Sequence, residues 1–368
     1  MTDEQNEDLR LLRDSVHTLL DRAGGIARAR RVRDEAVHWD AALWQELAEA
    51  GVLGVATPEQ AGGFGMGLPA AGVIAHELGR VITPEPVVPA IGLAIGLMHR
   101  LCPDDPALAD AIAGGVPPAV AWQERGPRGV SGQIDCAFDG KALNGAKDWV
   151  VGAGKAERLL VVAKSSAGLA FVRVATGGAG VAMQARKQSD GSVQHGVTFT
   201  GAAAELLAEG NVVSTALADA VADTTALAAA ELVGLSASAL ELTLDYIKTR
   251  EQFDKLIGAF QAIQHRAVDM KIMQEVAEAT IRETLVVMEG ADTAQRSRQA
   301  SRAKARACTA AQKITREAIQ LHGAVGYTDE FDIGLLLNRA LVLSAWLGDA
   351  TYHRRRWLDA RETEGATQ

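Results

Sequence analysis

The stretch QLHGAVGYTDEFDIGLLLNRALVLSAWLGDATYHRRR, residues 320–356, carries Gly323 and Gly326, Tyr327, Arg339 within an apolar run, and the step Trp346-Leu347-Gly348-Asp349. Gly323 suits a close backbone approach because it has no Cβ. Leu347 has no titratable group and cannot remove a proton. His353 and Arg354 to Arg356 read as the cap of the last helix, where cations favour the C-terminal dipole.

Working upstream, the order of elements is helices, then strands, then helices. Leu9, Leu12, Val16, Leu19 and Leu20 recur at helical spacing. Trp39-Asp40 opens another helix, the Gly/Pro-rich loop VLGVATPEQAGGFGMG follows, and Ile74, Leu78 and Val81 mark the next. Pro84 to Pro86 break the chain before an apolar helix to about Leu101. From Ala119 to Val213, ALNGAKDWVVG, RLLVVAK, LAFVRVA and HGVTFTG look like strands between Gly and Asp turns. The Ala-rich run from Thr215 to Arg250 suits one helix of roughly 50 Å. Residues 260–288 and 293–322 predict two more long helices. The expected class is α+β, with domains at 1–117, 118–213 and 214–368.

Composition excludes several function classes. Nearly half of the 368 residues are apolar, ample for a sizeable core. The net charge is -9 and the basic stretches are short, which argues against nucleic acid or an anionic membrane surface as main partner. No apolar run reads as long enough to span a membrane, and the acidic N-terminus is unlike a signal or transit peptide. Cys102, Cys136 and Cys308 lie far apart, without zinc spacing or a disulfide framework. A cytoplasmic protein without metal is expected.

Four stretches together resemble the acyl-CoA dehydrogenase family. They are WDAALWQELAEAGVLGVATPEQAGGFGMG with AHELGR; NGAKDWVVGAGKAERLLVVAK; TREQFDKLIGAFQAIQHRAVDM; and the 320–356 tail. The resemblance covers nearly the whole chain in the right order. It implies an N-terminal helical domain, a central β barrel and a C-terminal helical bundle, usually assembled as tetramers. It also implies FAD, an acyl-CoA substrate oxidised to the 2,3-enoyl-CoA, and an electron-transfer acceptor protein. In that chemistry a carboxylate takes the proton alpha to the thioester while hydride passes to the flavin. The base must come within about 2.6–3.2 Å of that proton.

The resemblance divides the flavin contacts into two sets. One reaches across to the neighbouring subunit's FAD, and here it is largely kept: Arg250, Gln252, Phe253, Phe260, Gln261, Gln320 and Gly323. An arginine suits a pyrophosphate through permanent charge and paired donors. Asp254 and Ala324 depart from the family's glycines. The other set holds the flavin ring within the same chain. Trp149 and Glu124 are kept, but Gln123 and Arg125 replace the Thr and Pro around Glu124. Val151 and Gly152 replace the polar pair after the tryptophan, and Asp349 replaces a Thr. The bland readings are a solvated helix face for Arg250, a core tryptophan for Trp149, and structural roles for His265 and His322.

Both family positions for the base lack an acid: Leu347 holds one and Thr224 the other. Glu231, about two turns after Thr224 on nearly the same helix face, is the remaining candidate. It reads as a base with its pKa raised by burial, an ion-pair partner, or an exposed residue; Asp349 is a second acid nearby. Three functions follow. The chain is one subunit of a hetero-oligomeric acyl-CoA dehydrogenase, of the kind acting on steroid side-chain thioesters, lending flavin contacts to a catalytic partner. Or it is a self-sufficient homo-oligomer using Glu231. Or it is a flavin-free structural or regulatory paralogue.

Overall fold

A computed structural model describes residues 3–35, 39–116, 118–125 and 134–365. The altered stretch after Arg125, at 126–133, lies outside these. The chain packs as two compact units. One comprises Met1–Glu35, Leu68–Thr83 and Thr225–Gln368, the other Ala36–Gly67 and Pro84–Thr224.

The N-terminal helices are α1 (Asp3–Arg22), α2 (Gly25–Asp34), α3 (Ala41–Glu49) and α4 (Gly67–Arg80). Asp40 caps α3, accepting the Ala42 N–H at 2.9 Å, as the Trp39-Asp40 start predicts. After the Pro84–Pro86 break, α5 (Val87–Pro89) continues through a π-helical stretch (Ala90–Ile95) into α6 (Gly96–Leu101), and α7 (Pro106–Ile112) follows.

Eight strands form one mixed sheet: β1 (Ala119–Ala121), β2 (Ala137–Phe138), β3 (Ala142–Val151), β4 (Arg158–Ser165), β5 (Gly168–Ala175), β6 (Val181–Lys187), β7 (Val193–Ala203) and β8 (Glu205–Glu209). The order is β6-β7-β3-β2-β4-β5-β8, with β1 parallel to β4. The central sheet therefore narrows at the two-residue strand β2. Its core is mostly Ala and Val, such as Ala121, Val161 and Val172, with Phe138 and Phe199 as the large members.

The second helical region comprises α8 (Asn211–Thr249), a hairpin of β9 (Glu251–Gln252) and β10 (Lys255–Leu256), α9 (Gln261–Met288), α10 (Thr293–His322), α11 (Ile333–Ala345) and α12 (Ala350–Gly365). Bounds 261–288 and 293–322 agree with the apolar periodicity to within a residue. Residues 211–224 of α8 belong to the second compact unit and the rest to the first.

Two findings correct the sequence reading. Asn211–Thr249 and Ile333–Ala360 are each long and apolar enough by composition to cross a membrane. The apolar window of the first is 78 % buried inside the protein, so its side chains already have protein neighbours. The second is interrupted by the turn at Trp346–Asp349. His353 also does not end the last helix, because α12 continues to Gly365 and places it in the first turns.

Within the first unit, α4 and α8 approach backbone to backbone. A Cβ on Gly79 would lie 2.1 Å from the Glu231 carbonyl oxygen, and one on Gly234 1.9 Å from that of His76. Only glycine permits this crossing.

Candidate functional site

The residues read as lent to a neighbour gather on one exposed patch of the first unit. Arg250 follows the end of α8, and its carbonyl accepts the Ile257 N–H at 2.9 Å, closing the β9-β10 hairpin. Phe253 and Asp254 form the turn with φ of 56° and 62°. Two left-handed residues suit a tight hairpin, and aspartate tolerates that region better than most, which accounts for Asp254 in a glycine position. Phe253 is 85 % exposed. Its ring meets that of Phe260 edge-on at 6.2 Å, and Lys255 Nζ lies 4.1 Å from the Phe260 ring centre.

Two contacts bring the tail segment to this patch. Tyr246, one turn before Arg250, stacks on His322 at 4.3 Å between ring centres. Arg266 Nε on α9 donates to Glu317 Oε2 on α10 at 2.8 Å. Gln252, Gln261, Gln320 and Gly323 are all exposed here. Gly323 has φ 65°, and nothing stands within 4 Å of where a Cβ would be, which leaves room for a ligand at its backbone. His265 is exposed, whereas His322 is buried and packed between Tyr246 and Phe331. Burial lowers the His322 pKa, and its Nδ1 donates to the Ala318 carbonyl at 2.8 Å. Sequence reasoning passed over Tyr246, although its spacing of four from Arg250 puts both on one helix face.

The residues read as serving the chain's own flavin have other partners. Trp149 is 41 % exposed with φ 60°, and the Arg186 guanidinium lies 5.8 Å over its ring. Beside it the buried Asp148 takes Arg186 on one oxygen and Arg125 Nε on the other, the latter at 2.9 Å. Glu124 is a structural anchor. Its carboxylate accepts the N–H groups of Asp135 and Cys136 at 2.9 Å each and Lys147 Nζ at 2.7 Å. Burial opposes its ionisation, but Lys147 and the two N–H groups outweigh that and hold its pKa below the ordinary value.

Neither base position offers a base. Thr224 is fully buried, donates to the Ala220 carbonyl at 2.6 Å, and faces Gly92, where a Cβ would lie 2.3 Å from its Oγ1. There is no space for a larger acid without rearrangement. Leu347 is 2 % exposed with φ 62° in the turn between α11 and α12. That turn is clamped by buried polar groups. Lys304 Nζ donates to the carbonyls of Leu343 and Trp346 at 2.7 and 2.6 Å. His353 Nε2 lies 3.0 Å from the Leu347 carbonyl, and Ser301 Oγ lies 3.2 Å from Nδ1. A carbonyl only accepts, so Nε2 carries the proton and Nδ1 accepts from the serine. Asp349 caps α12, accepting the Tyr352 N–H at 2.8 Å, a role a threonine would also fill. The sequence reading passed over Lys304, although it shares a face with Ala300, Ala303, Ala307 and Ala311.

Glu231 takes the ion-pair reading left open by the sequence. Arg339 donates to its Oε1 from Nε at 3.1 Å and from Nη2 at 2.6 Å, and the carboxylate is 4 % exposed. An oxygen that already accepts two guanidinium N–H donors is committed to that pair rather than free to meet a substrate proton.

The acyl-CoA dehydrogenase C-terminal domain model matches residues 216–360, and the N-terminal domain model residues 6–102. Acyl-CoA dehydrogenase IpdE2 of Mycobacterium tuberculosis is 28 % identical over 338 residues, 91 % of each chain. Among solved structures, a Tcur3481-Tcur3483 steroid acyl-CoA dehydrogenase variant superposes with a TM-score of 0.89 at 27 % identity, covering 99 % of this chain and 100 % of that one. The ChsE4-ChsE5 complex of Mycobacterium tuberculosis gives 0.85 at 25 % identity, over 97 % and 96 %. With the helix-sheet-helix order, both domain matches and these likenesses over nearly the full length, the chain belongs to the acyl-CoA dehydrogenase family.

Proposed function

We propose that this chain is the lending subunit of a cytoplasmic, hetero-oligomeric, FAD-dependent acyl-CoA dehydrogenase acting on a bulky, steroid-type acyl group. A related partner subunit supplies the base, and an electron-transfer protein takes the electrons. The observation that carries this reading is an asymmetry. Arg250, Gln252, Phe253, Gln261, Gln320 and Gly323 are exposed, on segments joined by the Tyr246–His322 and Arg266–Glu317 contacts. Leu347 and Thr224 are buried without an acid, and Glu231 is held by Arg339. The two-component names of the Tcur3481-Tcur3483 and ChsE4-ChsE5 relatives support it.

The residues present fit a flavin at the lent patch. Arg250 supplies permanent charge for a pyrophosphate, and the glutamines supply amide donors. The open backbone at Gly323 admits close approach. FAD, when bound, supplies the hydride acceptor for the 2,3-oxidation. On the chain's own ring side, Arg125 and Arg186 are committed to Asp148, and Trp149 carries the Arg186 guanidinium.

The test is purification alone and with a co-expressed acyl-CoA dehydrogenase-like partner, followed by flavin content and native mass. The chain alone is expected without dehydrogenase activity, and the pair with flavin and activity. A flavin-replete, active homo-oligomer of this chain alone would sink the proposal and favour the self-sufficient reading. A pair free of flavin would favour the structural paralogue.

A further inference from the structure

Within the first compact unit, α1, α4, α8 and α9 enclose a cleft of about 580 Å³. None of its lining residues belongs to the flavin-contact set. This volume is in the range of small-molecule sites, which combine an apolar lining with a few polar groups. The apolar part includes Leu9, Val73, Val233, Ile281 and Leu285.

The charged part is unevenly satisfied. Each of the four carboxylates in the lining already meets a donor. Glu77, 3 % exposed, takes His17 Nδ1 at 3.0 Å and His76 Nδ1 at 2.9 Å. Asp14 takes Arg10 at 3.3 Å, Glu241 takes Arg80 at 2.6 Å, and Glu278 takes the Gln274 amide at 2.8 Å. Two of the four guanidiniums are not so matched. Arg13 has only Glu77, at 3.8 Å. Arg282 has no ion pair or hydrogen bond among the described residues. Each carboxylate of the cleft thus has a hydrogen-bond donor, while the N–H donors of Arg13 and Arg282 lack a close acceptor beside an apolar lining.

We propose that this cleft binds a small carboxylate with an apolar body. The apolar part lies along Val73, Val233, Ile281 and Leu285, and the carboxylate is met by Arg13 and Arg282. Planar guanidiniums suit a carboxylate through paired N–H donors. The buried Glu77 carboxylate holds the two imidazoles at the wall, and Arg80 Nε faces it at 3.6 Å.

Isothermal titration of the full-length chain, with any co-purifying partner, uses decanoate and the neutral isostere decan-1-ol below their aggregation thresholds. The expected result is saturable decanoate binding, with decanol weaker by about tenfold or more, as loss of charge-assisted bonds implies. The double variant Arg13→Gln/Arg282→Gln should weaken decanoate by a similar factor while keeping the wild-type melting temperature, since both side chains are exposed. No saturable binding, equal binding of the alcohol, or unchanged affinity in the double variant would each overturn the proposal.

Discussion

Arg339 reaches across from α11 to set Nη2 2.6 Å and Nε 3.1 Å from a single oxygen of Glu231 on α8. The pair is largely shielded, at 16 % and 4 % side-chain exposure. Removing one member leaves the other charge buried, which costs about 3–5 kcal/mol in comparable pairs. Glu231→Gln should therefore lower unfolding stability by roughly 3 kcal/mol in denaturant titration. Arg339→Met should be less damaging on the Glu231→Gln background than on wild type. In the reconstituted pair, Glu231→Gln should retain turnover. Loss of turnover with stability unchanged would return Glu231 to the role of base.

The glycine crossing of α4 and α8 gives a contrast within one helical unit. Gly79→Ala and Gly234→Ala each force a methyl against a carbonyl oxygen, at 2.1 and 1.9 Å. Overpacking of this kind costs about 1–3 kcal/mol, more than the ~1 kcal/mol gained in helix propensity. Gly334, in α11, has nothing within 4 Å of a Cβ. Gly334→Ala should thus raise the melting temperature, while the other two lower it. Equal effects at all three positions would refute the close crossing.

His353 should make stability pH-dependent. Burial first, then the Lys304 and Arg356 charges, pushes its pKa down from 6.5 to about 3. Between those values the unfolded chain takes up a proton that the folded chain refuses. The contribution is therefore fully present above pH 6.5 and lost as pH falls toward 3. His99, lowered to about 4 mainly by burial, acts in the same direction. In His353→Asn, the slope of unfolding free energy against pH in this window should fall by up to about one proton. An unchanged slope would mean that His353 is solvated.

Arg250 is exposed at the end of α8, so Arg250→Ala should leave the melting temperature of the chain alone unchanged. In the reconstituted pair, the same variant should weaken flavin retention by about tenfold or more, the value of a charge-assisted hydrogen bond. Flavin release on dialysis, followed by absorbance, reads this directly. Full retention would rule out the lending role of Arg250.

Much of the fold was legible from local pattern. The caps at Asp40, the break at Pro84–Pro86 and the periodicity over 261–288 and 293–322 are properties of neighbouring residues. Strand β6 was missed in the sequence reading, and its residues are mostly exposed. Pairing with β7 makes it a strand. The α8 run was read as one long helix and not as an apolar run of membrane length, although its average hydropathy reaches that range.

The sequence by itself determined the family, the order of the elements, and the absence of an acid at positions 347 and 224. Those follow from residue identity and short-range spacing. Tertiary structure alone decided what Glu231 does, since its partner Arg339 lies 108 residues away. It also decided that Lys304 and His353 clamp the turn at Leu347, and that residues 250–261 and 320–323 form one patch through Tyr246–His322 and Arg266–Glu317. A charge inside a folded chain takes its role from the groups packed around it, and long-range packing selects those groups.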